Sequence, residues 1–165
     1  MKLNNENRNE WLQSDDEQLI RSCRLEPFKG SGRGGQKRNK TSSAVRLTHL
    51  QTGIAVTDCS GRSQHKNRHS AIKKLRRQLA FELRNPPVRP ERLDTSLTSQ
   101  TYPLFLAILI DIFYSVNYEL KPAAEFLNIS SAKLVKIVER DSQLWQYINQ
   151  QRQANNLPAL KKNRN

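Results

Sequence analysis

The sequence predicts an α+β protein: a small β-sheet packed by one basic helix, with a protruding glycine loop, followed by a small all-helical module of helix-turn-helix character. Three observations predict it. Short stretches before residue 60 alternate apolar and polar side chains, the period of a strand. From about residue 62 to 83 apolar residues recur at spacings of three and four, the period of a helix. Beyond the prolines at 86, 87 and 90 only helical spacing returns. A chain of 165 residues has room for one ordinary domain, or a small domain with a compact helical appendage. The expected division is a polar lead over 1–17, a mixed domain over 18–84, a proline-rich linker over 85–101, a helical module over 102–160 and a basic tail over 161–165.

In chain order, Gln18 to Leu25 alternates loosely and suggests a first strand, with Glu26-Pro27-Phe28 as a turn. Lys29 to Gln36 then holds four of the six glycines, so the chain needs unusual backbone angles or close backbone approach there. Ser43 to His49 and Ile54 to Cys59 alternate on either side of Gln51-Thr52-Gly53, which predicts a hairpin. Ala71, Ile72, Leu75, Leu79 and Leu83 define the apolar face of the next helix, with Lys73, Lys74, Arg76, Arg77 and Gln78 between them. Asn85 to Pro90 ends it, since proline cannot continue a helix. A helix over about Leu104 to Val116 comes next, with Asp111 inside it and too short to span a bilayer. Two short helices, Leu120 to Leu127 and Ser130 to Glu139, meet at Asn128-Ile129, an arrangement most like the factor-for-inversion-stimulation type of helix-turn-helix. Pro122 suits a first helical turn, and Ser130 or Ser131 an N-cap. A last helix runs from Ser142 to about Ala154. Tyr102, Phe113, Tyr114, Phe126, Trp145 and Tyr147 read as helical core rather than as base-stacking platforms.

The formal net charge is +13, and all of that excess falls between Lys29 and Arg92, where sixteen bases face only Asp58, Glu82 and Glu91. A merely solvated basic face would be interspersed with acids, so the stripe points to a polyanion and to affinity that falls steeply with salt. Cys23 and Cys59 sit in alternating stretches and read as buried, reduced thiols, which fits a cytoplasmic protein. The opening residues are Asn- and Glu-rich without an apolar run, so no secretory leader and no membrane association are expected.

Gly30 to Gly35 satisfies the dinucleotide-binding spacing, but that motif must open a helix, and here a polar stretch leads into a strand. A nucleotide-triphosphate loop would end in Gly-Lys-Ser/Thr, which is absent. The spacing of His65 and His69 could place two metal ligands on one helical face, yet Lys66 and Arg68 surround them and no third ligand is apparent, so no metal and no cofactor are expected.

Gly34-Gly35-Gln36, then Asn39 to His49, Thr52-Gly53 and the Arg62-Ser63-Gln64-His65-Lys66-Asn67 that opens the basic helix, resemble the catalytic domain of class I peptide chain release factors. The resemblance covers roughly Gln18 to Leu83. It implies hydrolysis of the ester between a nascent peptide and tRNA at the peptidyl-transferase centre of the large ribosomal subunit. Gly34 and Gly35 would fit a crowded RNA cavity, the Gln36 backbone N–H would donate to charge developing at the reacting oxygens, and the Gln36 side chain would shape the space for water. Ribosomal RNA contacts would come from Arg33, Lys37, Arg38, Asn39, Lys40, Thr41, Arg46, Arg62, Gln64, Lys66, Asn67, Lys73, Lys74, Arg76 and Arg77. Arg46 and His49 read equally well as ordinary strand-surface residues. The implied partners are the ribosome, peptidyl-tRNA and a glutamine methyltransferase acting on Gln36, with the chain itself a monomer. A release factor that reads stop codons needs additional domains for which this chain has no room, so the expectation is the codon-independent, ribosome-rescue type. The rival is a non-catalytic RNA- or DNA-binding protein that uses the basic stripe and the helix-turn-helix; against DNA, the charges of that module nearly cancel.

Overall fold

The computed structural model describes residues 7–28 and 43–162. They gather into two units, 7–82 and 83–162. The first is mixed α+β. Its elements are helix α1 (Arg8–Gln13), helix α2 (Asp16–Arg21), strand β1 (Cys23–Phe28), strand β2 (Ala44–His49), strand β3 (Ala55–Asp58) and helix α3 (Gln64–Glu82).

The strand expected from Gln18 is a helix as far as Arg21. The reason is local: the Asp15 carboxylate accepts from the Gln18 N–H at 2.7 Å, and the Gln18 side chain accepts from the Asp15 N–H at 3.3 Å. This reciprocal pair starts a helix whatever the alternation after it. Pro27, expected in a turn, instead lies inside β1 opposite Val45. The sheet runs β1-β2-β3, antiparallel throughout, with Leu25 opposite Leu47 and Leu47 opposite Val56. An edge strand tolerates proline because one side of its backbone has no ladder to complete.

The expected β2–β3 hairpin is present. It turns through Gly53 at φ +70°, whose N–H donates to the His49 carbonyl at 2.8 Å. That left-handed angle favours a residue without Cβ. Helix α3 packs across β2 and β3. Ala71, Ile72, Leu75 and Leu79 are each at most 3% exposed and share this core with Val45 and Leu47. Cys23 is half-buried, and Cys59, expected inside, is exposed next to the buried Asp58.

The second unit is helical: α4 (Tyr102–Ser115), α5 (Leu120–Phe126), α6 (Ser131–Glu139) and α7 (Ser142–Ala154). Every residue of α4 from Phe105 to Phe113 is buried, so it is the central helix of this unit. Among the described residues no helix is long and apolar enough to cross a membrane. Asn128, at φ 57°, makes the break between α5 and α6, and Ser130 caps α6 by accepting from the Lys133 N–H at 3.2 Å. Asp141 accepts from the N–H groups of Gln143 and Leu144 at the start of α7 and from the Tyr102 hydroxyl at 2.6 Å. One carboxylate therefore joins the first and last helices of the unit. After α7 the chain folds back, held by Arg152 donating to the Pro158 carbonyl at 2.9 Å and by the Leu160 N–H donating to Asn149 at 2.6 Å. Tyr102 and Phe113 are core as expected; Tyr114 is 45% exposed and lies against the Arg84 guanidinium.

Candidate nucleic-acid interface

Gly34, Gly35 and Gln36, with Arg33, Lys37, Arg38, Asn39, Lys40 and Thr41, lie outside the described residues. What the structure defines is the ground they stand on. Phe28 pairs with Ala44, so the segment 29–42 leaves and re-enters the sheet at adjacent positions of β1 and β2. Beside this root the exposed Arg46 of β2 holds its guanidinium 5.8 Å from the Phe28 ring.

Asn67 fixes the returning foot. It is 1% exposed; its amide nitrogen donates to the Ser43 carbonyl at 2.7 Å and the Gly61 carbonyl at 2.9 Å, while its oxygen accepts from the Gly61 N–H at 2.8 Å. Both donors and the acceptor are used within the fold. A Cβ on Gly61 would meet the Asn67 oxygen at 2.9 Å, so the close approach needs glycine there.

Along α3 the predicted contact residues separate into two populations. Gln64, Lys66 and Lys73 are exposed on the helix, as is Arg62 just before it, and Lys66, His69 and Lys73 succeed one another along the solvent face. Arg76 turns the other way. It is 8% exposed, and its guanidinium donates to the Trp11 carbonyl at 2.8 Å, the Leu12 carbonyl at 3.4 Å and Asp16 at 3.1 Å. It thereby satisfies carbonyls at the end of α1 that the helix leaves open. Arg77 is half-buried with its guanidinium 5.5 Å from the Phe81 ring. Lys74 belongs partly to each population: its ammonium bonds to Asp58 at 2.8 Å and the Thr57 carbonyl at 3.2 Å, yet 53% of the side chain stays in solvent.

Burial alone would raise the Asp58 carboxyl, but hydrogen bonds from Lys74 and from the Ser60 N–H and hydroxyl hold it below its ordinary value. Asp58 is thus a fastener between β3 and α3. His49 is buried against Trp11, ring centroids 4.2 Å apart, with Nδ1 2.9 Å from the Thr52 hydroxyl; burial lowers its pKa. It is an interior residue rather than a strand-surface one. His69 lies 3.3 Å from Asp16, and among the described residues no group of three His, Cys, Asp or Glu could hold a metal ion.

Asn67 and Arg76 carried a signal for their inward roles. Asn67 stands four residues before Ala71, and Arg76 four after Ile72, on the same face as the apolar series.

A three-stranded antiparallel sheet backed by a basic helix, with the loop rooted between β1 and β2, is the setting in which likeness to known proteins can be judged. Residues 16–101 match the family described as RF-1 domain. The chain belongs to this family. The chain is 50% identical over 76 residues to peptide chain release factor 2 of Variovorax paradoxus (strain S110), covering 46% of this chain and 21% of that protein. It is 59% identical over 56 residues to peptide chain release factor 2 of Caulobacter sp. (strain K31), covering 34% and 15%. Against peptide chain release factor 1 of Xylella fastidiosa (strain 9a5c) the identity is 43% over 74 residues, covering 45% and 20%. The chain spans at most about a fifth of the length of these relatives, and the RF-1 domain match stops at residue 101, inside the connection to α4.

Proposed function

We propose that this protein releases peptides on the ribosome by hydrolysing the ester of peptidyl-tRNA, and that it does so without reading a codon. The observation that carries the reading is the RF-1 domain match, which spans Gly34-Gly35-Gln36 and the start of α3 in one stretch. Water adds to the ester carbonyl, the bond to the ribose oxygen breaks, and that oxygen leaves with a proton. The Gln36 N–H donates to the oxygen on which charge develops, a role that needs no titrating side chain. The exposed Arg46, Arg62, Lys66 and Lys73 contact ribosomal RNA phosphates and set the orientation of the domain. The codon-independent form of the reading is supported by the chain beyond residue 101, where the family match gives way to a helical unit.

The test is peptide release from ribosomes stalled with and without a stop codon. Gln36→Pro removes the N–H and is expected to slow release by about 10²–10³-fold, the effect of losing one oxyanion donor. Gln36→Ala keeps the N–H and is expected to cost less. Equal rates for parent and Gln36→Pro sink the hydrolase reading, and release confined to stop codons sinks the codon-independent form.

A further inference from the structure

In the sequence, the charges around the helix-turn-helix cancel: Lys121, Lys133, Lys136 and Arg140 against Glu119, Glu125, Glu139 and Asp141. The structure engages or partly buries three of the acids, Glu125, Asp141 and Glu139. Glu125 faces Lys121 at 4.0 Å, within α5. Asp141 is 5% exposed and directed at Tyr102 and the start of α7. Glu139 is half-buried with one carboxylate oxygen shielded from solvent. On α6 itself Leu134, Val135, Ile137 and Val138 face the core, and the exposed residues are Ala132, Lys133 and Lys136, with Arg140 next at the C-cap. Lys133, Lys136 and Arg140 stand at i, i+3 and i+7, one stripe roughly 10 Å long at 1.5 Å per residue. Among the described residues none of the three meets a carboxylate; Arg140 donates to the Thr95 carbonyl at 3.3 Å and stays exposed.

We propose that this face of α6 docks on the phosphates of a double-helical RNA segment. Among the described residues the three cations of the stripe are not paired with a carboxylate, which fits a polyanion. Ser130 and Ala132 beside it are small, so a backbone can approach closely. The stripe carries no aromatic side chain on which unpaired bases could stack, which favours the backbone of a paired strand over splayed single strands. The choice of RNA over DNA rests on the proposed function.

The experiment measures binding of the full chain to a fluorescent RNA duplex of mixed sequence across a salt series, with a DNA duplex and a single-stranded RNA of the same sequence alongside. The variants are Lys133→Gln, Lys136→Gln and Arg140→Gln, singly and together, with Lys121→Gln on α5 as the comparison. The triple variant is expected to bind the RNA duplex at least tenfold more weakly at low salt. The slope of log affinity against log salt should fall by roughly 2 to 3, about 0.9 for each phosphate that is no longer neutralised. Each single variant should lower it by about 1, so the singles decide the matter if the triple does not fold. Unchanged slopes, or an equal effect of Lys121→Gln, overturn the proposal. A loss confined to the DNA duplex or to the single strand overturns the choice of RNA helix. Because peptide release is not the readout, failure here and failure of the hydrolase reading are separate results.

Discussion

Asn67 closes three hydrogen bonds in the interior, so its replacement leaves two carbonyls and one N–H without partners. Asn67→Ala is expected to destabilise the first unit by about 2–4 kcal/mol, measurable by urea unfolding. In conditions where the variant is still folded, peptide release should also slow, because Ser43 is the foot of the segment carrying Gln36. Wild-type release together with lost stability would separate the clamp from catalysis. His49 gives a prediction in pH. Burial lowers its pKa in the fold, so below about 6.5 the unfolded chain takes up a proton that the folded chain refuses. Stability from this group is therefore complete above that pH and declines as pH falls to the folded value. Thermal unfolding at pH 7.5 and 5.5 should show a drop that is smaller in His49→Gln; an equal drop in both refutes it. Residue type groups Asn67 and Arg76 with RNA contacts, and only their place on the apolar face of α3 marks the internal use to which the structure puts them.

At the level of elements, periodicity carries the reading where a helix or strand is long enough to repeat it. Helix α3, the β2–β3 hairpin and α7 keep to their apolar spacing closely. The region before β1 does not yield, because a six-residue helix shows less than two turns of pattern and its real signal is the Asp15–Gln18 pair at its start. Caps also govern the helical unit. Ser130→Ala removes the acceptor for the Lys133 N–H and is expected to cost about 1 kcal/mol in thermal unfolding. Ser131→Ala should cost less, since Ser131 lies within α6 rather than at its cap. Equal losses would mean that the cap contributes nothing. The Gly-Gly-Gln tripeptide is legible only through resemblance: nothing in its periodicity or charge separates this glycine loop from any other turn.

Over the whole molecule, charge is the feature most visible in sequence and most redistributed by folding. Of the cations of α3, Arg76 is withdrawn into the α1 junction and Lys74 is half committed to Asp58, so fewer charges face outward than the composition suggests. The open side of the sheet has a different consequence. The His49 N–H donates across to the Ile54 carbonyl, so His49, Leu47 and Val45 point their backbone groups at β3, and alternation turns those of Ala44, Arg46 and Thr48 to β1. Pro27, opposite Val45, therefore presents its nitrogen to the outer margin, where among the described residues no strand pairs. A strand arriving from another molecule would find one donor missing near the end of β1, which guards the protein against growing edge to edge into multi-chain sheets. Restoring that donor with Pro27→Val should favour higher-order species in light scattering at high concentration, while the parent chain stays dispersed.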